Sequence, residues 1–386
     1  MTKVKLGVVG YGNMGEAHCK NIFAGKVPNM EVTAICDIDP ERIELSKKAH
    51  PETKTFENAT DLFKSGLCDS VIIAVPHYDH PRLVIEAFQY GLNVITEKPA
   101  GVYTKQVQEM NAAAEKTDKL FGIMYNQRTN PMYQKIRSMV QSGELGHIKR
   151  ISWIITTWYR PQAYHDSGSW RSTWKTEGGG ALINQNPHQL DLWQWMFGMP
   201  DKITSFVSFG KYNNIEVEDD VTAFFEYENG TTGTYITSTG EYPGTNRLEI
   251  ACDMGRIVVE NDQMIFNRNV ISEREHNKKN TLPFGKPECW KCEIPVSGSG
   301  EQHVGIFKDF ANAVLNGTKL LAPGEEGING LTISNSIHYS AWTGKTVDVK
   351  NFPHDEFYEL LQEKIRNSKV DKSNVKRNSA DTSGTY

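Results

Sequence analysis

A short apolar run at residues 4–9 leads directly into Gly10-Tyr11-Gly12-Asn13-Met14-Gly15, and this junction constrains the fold more than any other stretch of the chain. With a strand before and a helix after it, the three glycines have different tasks. They make a tight turn, let the backbone approach a pyrophosphate, and allow close helix–strand packing. The helix that follows points its first N–H groups at the phosphates. A second apolar run, 31–36, ends in Cys36-Asp37. An acid about 20 residues beyond the glycines meets the ribose hydroxyls of a dinucleotide and repels a 2′-phosphate. Gly10, Tyr11, Gly12, Asn13, Met14, Gly15 and Asp37 therefore read as an NAD site, and nothing downstream supports a flavin or S-adenosylmethionine instead.

Further apolar runs at 70–75, 93–96 and 120–124 alternate with helical spacing at 40–50, 81–90 and 105–116. Near-continuous apolar strands separated by helices fit a parallel sheet covered on both faces. Residues 1–125 are expected to form an α/β Rossmann domain with a doubly wound parallel sheet. Ligands in such sheets lie beyond the carboxyl ends of the strands, which brings two loops to the cofactor. These are Val75-Pro76-His77-Tyr78-Asp79-His80-Pro81 and Thr96-Glu97-Lys98-Pro99. Val75, Pro76, His77, His80, Glu97, Lys98 and, after the last strand, Asn126 complete the expected cofactor contacts. Two histidines on one loop without a third ligand do not make a metal site, so no metal is expected.

The second half turns strand-like at 147–157, 202–209, 221–227, 231–239, 246–251 and 255–259, with helices at 131–141, 300–317 and 327–343. Long alternating strands with few helices predict an α+β domain over 126–350, built on a large, mostly antiparallel open sheet. Residues 327–343 are expected to pack back on the domain junction. A C-terminal helix and a polar, flexible tail fill 351–386. A length of 386 residues suits two domains, and 38% hydrophobic against 23% charged residues leaves enough apolar material for real cores. The net charge of −5 argues against a nucleic-acid partner. No run approaches the ~18 apolar residues of a membrane span, and no signal peptide is evident, so a cytoplasmic protein is expected. Cys289-x-x-Cys292 lacks both a second ligand pair and a strand-to-helix setting, and reads as structural.

Oxidising a secondary alcohol requires a group that takes the hydroxyl proton while hydride leaves. Residues 178–192 read Gly-Gly-Gly-Ala-Leu-Ile-Asn184-Gln-Asn-Pro-His188-Gln-Leu-Asp191-Leu. Asn184, His188 and Asp191 fall at i, i+4 and i+7, which lines one face of a helix. His188 has the pKa range of a general base near neutral pH. Lys98 holds the substrate oxygen or is itself the base, because a buried lysine drops toward neutral pKa. Asp191 braces the helix or the His188 ring.

Glu97-Lys98-Pro99 and the glycine-led Asn184/His188/Asp191 segment, behind a dinucleotide fingerprint, resemble the glucose–fructose oxidoreductase / inositol dehydrogenase / MocA (Gfo/Idh/MocA) family over residues 1 to about 350. The resemblance implies that Lys98 and His188 work together with the substrate between them. It also implies an open sheet that pairs subunits, hence a homo-oligomer, dimer or tetramer. The departure is Asn184, where many members carry Asp: an amide orients a ring but cannot share a proton.

Six of the eight tryptophans lie between 153 and 195. Trp170-Arg171-Ser-Thr-Trp174 precedes the glycine run, and Tyr159, Arg160 and His165 lie on the same approach loop. Aromatic faces and an arginine suit a pyranose. The expected substrate contacts are Lys98, Tyr159, Arg171, Trp174, Asn184 and His188, with Lys98, His188 and Asn184 catalytic. The reading is a dehydrogenase that oxidises a ring hydroxyl of a sugar or glycoside with NAD. The alternatives are an inositol dehydrogenase, a glycosidase using NAD transiently, and a non-catalytic NAD-binding regulator. The crowded Trp/Arg loop favours a pyranose over inositol, and the lack of an evident phosphate-binding cluster disfavours nucleotide-sugars.

Overall fold

The computed structural model describes residues 3–296 and 298–370, organised by two sheets. The first contains β1 (Val4–Val9), β2 (Met30–Cys36), β3 (Lys54–Phe56), β4 (Ser70–Ile73), β5 (Asn93–Thr96) and β6 (Phe121–Ile123), all parallel, in the order β3-β2-β1-β4-β5-β6. This is the doubly wound Rossmann order, with its switch point between β1 and β4. Helices α1 (Asn13–Phe23), α2 (Pro40–Ala49), α3 (Ala59–Lys64), α4 (His80–Gln89) and α5 (Thr104–Ala114) cover it. Local chemistry starts several of them. Asp39 accepts the Glu41 N–H ahead of α2, with Pro40 at its first position, and Asn58 accepts the Asp61 N–H ahead of α3. Strand β3 and helix α3 are too short to show a period in the sequence, and the reading above passes over both.

The second sheet follows α6 (Pro131–Gln141) and holds β7 (Ile148–Ile155), β8 (Lys202–Phe209), β9 (Glu218–Glu226), β10 (Thr232–Ser238), β11 (Asn246–Cys252), β12 (Gly255–Glu260), β13 (Gln263–Asn269), β14 (Cys289–Ile294) and β15 (Val347–Asp348). The order is β14-β13-β12-β11-β7-β10-β9-β8-β15; β7 and β10 run parallel and every other pair antiparallel. The connecting helices are α7 (Gln162–His165), α8 (Pro187–Phe197), α9 (Glu273–Lys279), α10 (Gln302–Asn316), α11 (Gly327–Thr343) and α12 (His354–Arg366). Trp153, Phe225, Tyr235, Leu248 and Ile250 form the inner face and share one core with Trp193, Met196 and Ile337 from α8 and α11. The outer face carries Phe206, 76% exposed, and the ion pairs of Arg150 and Arg247 with Glu249.

The chain does not keep its two halves apart. Helix α10, expected within the second domain, packs Phe307 and Phe310 into the core of the first sheet. Asn335 of α11 accepts the Thr104 N–H at 3.1 Å and donates to the Val102 carbonyl at 3.1 Å, tying α11 to the start of α5. Of the expected C-terminal region, α12 is present and residues 371–386 lie outside the described residues. Among the described residues no helix is long and apolar enough to cross a membrane.

Candidate active site

At the switch point the turn after β1 is fixed by its glycines. Gly10 has φ +96°, and a Cβ on it would lie 2.2 Å from the Ala74 carbonyl oxygen of the neighbouring loop. A Cβ on Gly15 would lie 1.9 Å from the Gly10 carbonyl oxygen. At Gly12 nothing lies within 4 Å of a Cβ position, so the backbone there is open to close approach. Asn13 and Met14 form the first turn of α1. Asp37, at the end of β2, accepts the Tyr11 N–H at 2.7 Å and the Asp39 N–H at 2.9 Å, which sets its carboxylate beside the glycine turn. An open Gly12 cradle, a helix N-terminus and an adjoining carboxylate fit a dinucleotide without a 2′-phosphate.

The loop after β4 enters the same crevice. Val75 reaches the Gly10 position, and Pro76 opens a single 3₁₀ turn. The two ring nitrogens of His80 lie 2.7 Å from the Pro99 and Val75 carbonyl oxygens, which sets the ring between the two loops. His77 donates from Nδ1 to the Glu177 carbonyl at 3.0 Å, and its ring meets Trp170 in a T-shaped contact. The Glu97 carboxylate is engaged within the chain. One oxygen lies 2.7 Å from His18 Nε2 and the other accepts the Lys98 N–H at 3.2 Å. Burial, the largest single influence, raises Glu97, but the bond and charge of His18 together with the charges of His303 and Lys98 outweigh it and hold the group at about 2. Asn126 donates to Gln302 at 2.8 Å, while its buried Oδ1 has no protein partner.

Across the crevice, the glycine run makes a sharp entry into a helix. The Gly180 and Leu182 N–H groups both donate to Glu218 Oε1 at 2.9 Å, and Glu218 is itself paired with buried His338 at 2.9 Å. The expectation of one α-helical face for Asn184, His188 and Asp191 is not met. Asn184 lies in a π turn, Ala181–Gln185, in which the Asn186 N–H reaches the Ala181 carbonyl at 2.8 Å. Helix α8 starts afresh at Pro187, which has no N–H to continue the ladder. The break has a chemical consequence, since the Asn184 carbonyl accepts the Lys98 ammonium at 3.0 Å.

Lys98 and His188 are thereby brought to one pocket with Asn184. Burial lowers the Lys98 pKa, and nearby Arg171 and Arg160 press the same way. Burial, reinforced by Lys98 and His303, holds His188 well below the ordinary imidazole range. The His188 ring is neutral, and its buried Nδ1 has no protein partner. A neutral imidazole can accept a proton and a desolvated lysine can donate a hydrogen bond, so the pair can serve acid–base chemistry.

The approach loop contributes unequally. Arg171 stacks 4.4 Å from the Tyr164 ring and donates to the Tyr164 hydroxyl of α7. That hydroxyl also accepts from Asn184 at 3.3 Å and Gln185 at 3.1 Å. Tyr159 is 44% exposed, its ring edge on Tyr242. The Trp174 indole is buried and packs among Phe209, His338 and Trp342. Asp191 forms a buried bidentate pair with Arg128, at 2.6 and 2.8 Å, and makes no bond to His188.

Two residues in this network escaped the sequence reading, Tyr164 and Glu177. The Glu177 carboxylate is buried, accepts the Asn184 side-chain amide and the Ser172 N–H, and lies directly before the glycine run. A carboxylate abutting three glycines, seven residues ahead of Asn184, was the available signal.

Residues 4–125 match the model described as oxidoreductase family, NAD-binding Rossmann fold, and residues 133–258 match the GFO/IDH/MocA C-terminal domain, together well over half of the chain. The chain belongs to the Gfo/Idh/MocA oxidoreductase family. Among its relatives, the rhizopine catabolism protein MocA of Rhizobium meliloti is 30% identical over 51% of this chain, a match spanning 58% of that protein's length. The scyllo-inositol 2-dehydrogenase (NAD(+)) of Bacillus subtilis is 26% identical over 67% of this chain and 74% of its own. The levoglucosan dehydrogenase of Pseudarthrobacter phenanthrenivorans is 24% identical over 90% of this chain and 99% of its own. A levoglucosan dehydrogenase structure in complex with NADH and levoglucosan superposes with a TM-score of 0.76 at 19% identity, covering 90% of this chain and 100% of that one. At that identity the superposition speaks for the shared fold.

Proposed function

We propose that this Gfo/Idh/MocA oxidoreductase removes hydride from a ring CH–OH of a sugar or glycoside, with residues 1–125 holding NAD and residues 126–350 holding the substrate. The observation that carries the reading is the pocket where part-buried Lys98, joined to the Asn184 carbonyl, adjoins a neutral, buried His188. NAD, when bound, supplies the hydride acceptor. Gly10, Tyr11, Gly12, Asn13, Met14 and Gly15 form its cradle, with Asp37 toward the ribose. Lys98 donates to the substrate oxygen and stabilises its developing negative charge. His188, held neutral, accepts the hydroxyl proton. Arg171, tied to Asn184 through the Tyr164 hydroxyl, and the half-exposed Tyr159 of the approach loop would meet the remaining hydroxyls. That one relative is a levoglucosan dehydrogenase and another a scyllo-inositol dehydrogenase supports a polyol ring as substrate class. The outward Phe206 and Phe224 on the open sheet support pairing of subunits.

The test is NADH formation by purified protein given NAD and, in turn, inositols, free hexoses, and aryl or C-linked glucosides, with the denatured protein assayed for released cofactor. A rise with a pyranose or glucoside is expected. A rise only with inositols would move the substrate to cyclitols. Cleavage of a glycoside with retained cofactor and no NADH would replace net oxidation by an internal redox cycle.

A further inference from the structure

We propose that Glu177 is the positioning carboxylate of this site: it aims the Asn184 amide and adds a second negative charge, after Glu97, near Lys98. The inference rests on the dehydrogenase reading above. Asn184 cannot hold a negative charge, yet an ionisable carboxylate sits against it. Glu177 Oε1 accepts from Asn184 Nδ2, so the amide is oriented with its nitrogen toward Glu177 and its oxygen on the other side. The second oxygen accepts the Ser172 N–H. Ser172 adopts φ +66°, a left-handed conformation that a serine keeps only where its surroundings over-determine it. Those surroundings are Glu177 on its N–H and His165 Nδ1 at 2.7 Å from its hydroxyl. The Glu177 backbone is pinned as well, its carbonyl accepting from His77 at 3.0 Å. A carboxylate gripped from both ends, with no ion-pair partner in contact among the described residues, has been built into the pocket.

The charged groups that face it are few. Arg171 and the bonds from Ser172 and Asn184 favour ionised Glu177, while Glu218 of β9 opposes it. Burial is the largest influence, and Glu177 is raised to about 7. His77 and His188 are both kept neutral by burial and add no charge. Lys98 responds in turn: burial lowers its pKa most, Glu97 and then Glu177 raise it, and Arg171 and Arg160 lower it. Ionised Glu177 therefore favours a charged Lys98 that binds substrate oxygen. Protonated Glu177 leaves Glu97 alone to offset burial and the two guanidinium groups, which moves Lys98 closer to neutral.

The experiment is the pH dependence of kcat and KM for wild type, Glu177→Gln, Asn184→Asp and the double variant, with Tm and NAD affinity confirming the fold. Glu177→Gln should lower kcat at least about tenfold, leave KM within about threefold, and remove an inflection near pH 7. Asn184→Asp in the Glu177→Gln background should recover part of kcat, because a carboxylate returns to the same network. A Glu177→Gln profile that superposes on wild type overturns the proposal. If that variant does not fold, Glu177→Asp takes its place: a shifted inflection supports the proposal and an unshifted one overturns it. Infrared difference spectra of wild type minus variant separate this from failure of the functional reading. Should wild type show no sugar-dependent NADH, the functional reading falls. A carboxylic-acid band titrating near pH 7 in wild type alone would still support Glu177, and its absence would overturn the role.

Discussion

Replacing Asp191 by Asn separates scaffold from catalysis in α8. Asp191 and Arg128 each have 1% of the side chain exposed, and the guanidinium meets the carboxylate through Nε at 2.8 Å and Nη2 at 2.6 Å. The pair joins the turn after β6 to α8, one turn beyond His188. Removing one partner of such a pair costs about 3–5 kcal/mol, because the other charge stays buried and uncompensated. Two features reduce that here. Asn keeps one acceptor oxygen, and Glu326, 40% exposed, remains on Nη1 at 2.6 Å. A loss of roughly 2–3 kcal/mol is expected, which at about 2–4 °C per kcal/mol is a fall of roughly 5–10 °C in Tm. The assay is thermal unfolding by circular dichroism alongside turnover well below Tm. Asp191→Asn should melt early yet keep kcat within about threefold. Arg128→Met with Asp191→Leu should regain most of the stability, since an apolar pair of similar volume costs little. A kcat lower by two orders of magnitude at unchanged Tm would refute the reasoning and place Asp191 in the proton path.

Lys98→Ala and His188→Ala should each lower kcat by about 10²–10⁴-fold while NAD affinity by titration stays near wild type; activity close to wild type in either would remove that residue from the mechanism. Asp37→Ser should shift the NADP-to-NAD ratio of kcat/KM by at least about tenfold, roughly 1.4 kcal/mol, toward NADP; an unchanged ratio would take Asp37 off the ribose. Glu177 gives a stability prediction with a definite sign. Its pKa is raised in the folded protein, so between about 4.5 and 7 the folded state holds a proton that the unfolded state has lost, and stability falls as pH rises through that window. Glu177→Gln should abolish this slope and melt higher than wild type at pH 8, by an amount bounded at roughly 3 kcal/mol. A variant that melts lower at pH 8 would contradict the raised value.

The sequence was most informative where chemistry is local. The Gly10–Gly15 turn, Asp37 at the next strand end and the alternation of apolar runs with helices determined the doubly wound sheet, because glycine geometry and burial on both faces leave their marks within a few residues. Bringing Lys98 to Asn184 and His188 was within reach of motif and spacing as well. What the sequence could not decide was direction and partnership. His80 and Glu97 stand in the expected loops, but whether a side chain faces a ligand or braces the backbone depends on carbonyls and rings from elsewhere in the chain. Trp174 looked like a sugar platform, and its packing against Trp342, 168 positions later, is set only in the folded chain. The i, i+4, i+7 spacing of Asn184, His188 and Asp191 suggested one helix face, yet a proline and a buried glutamate from β9 impose a π turn and a fresh start. The carboxylate facing Asn184 belongs to a residue with no motif of its own. Desolvation and the sum of charges around a buried group are properties of the packed molecule, and only tertiary structure sets them.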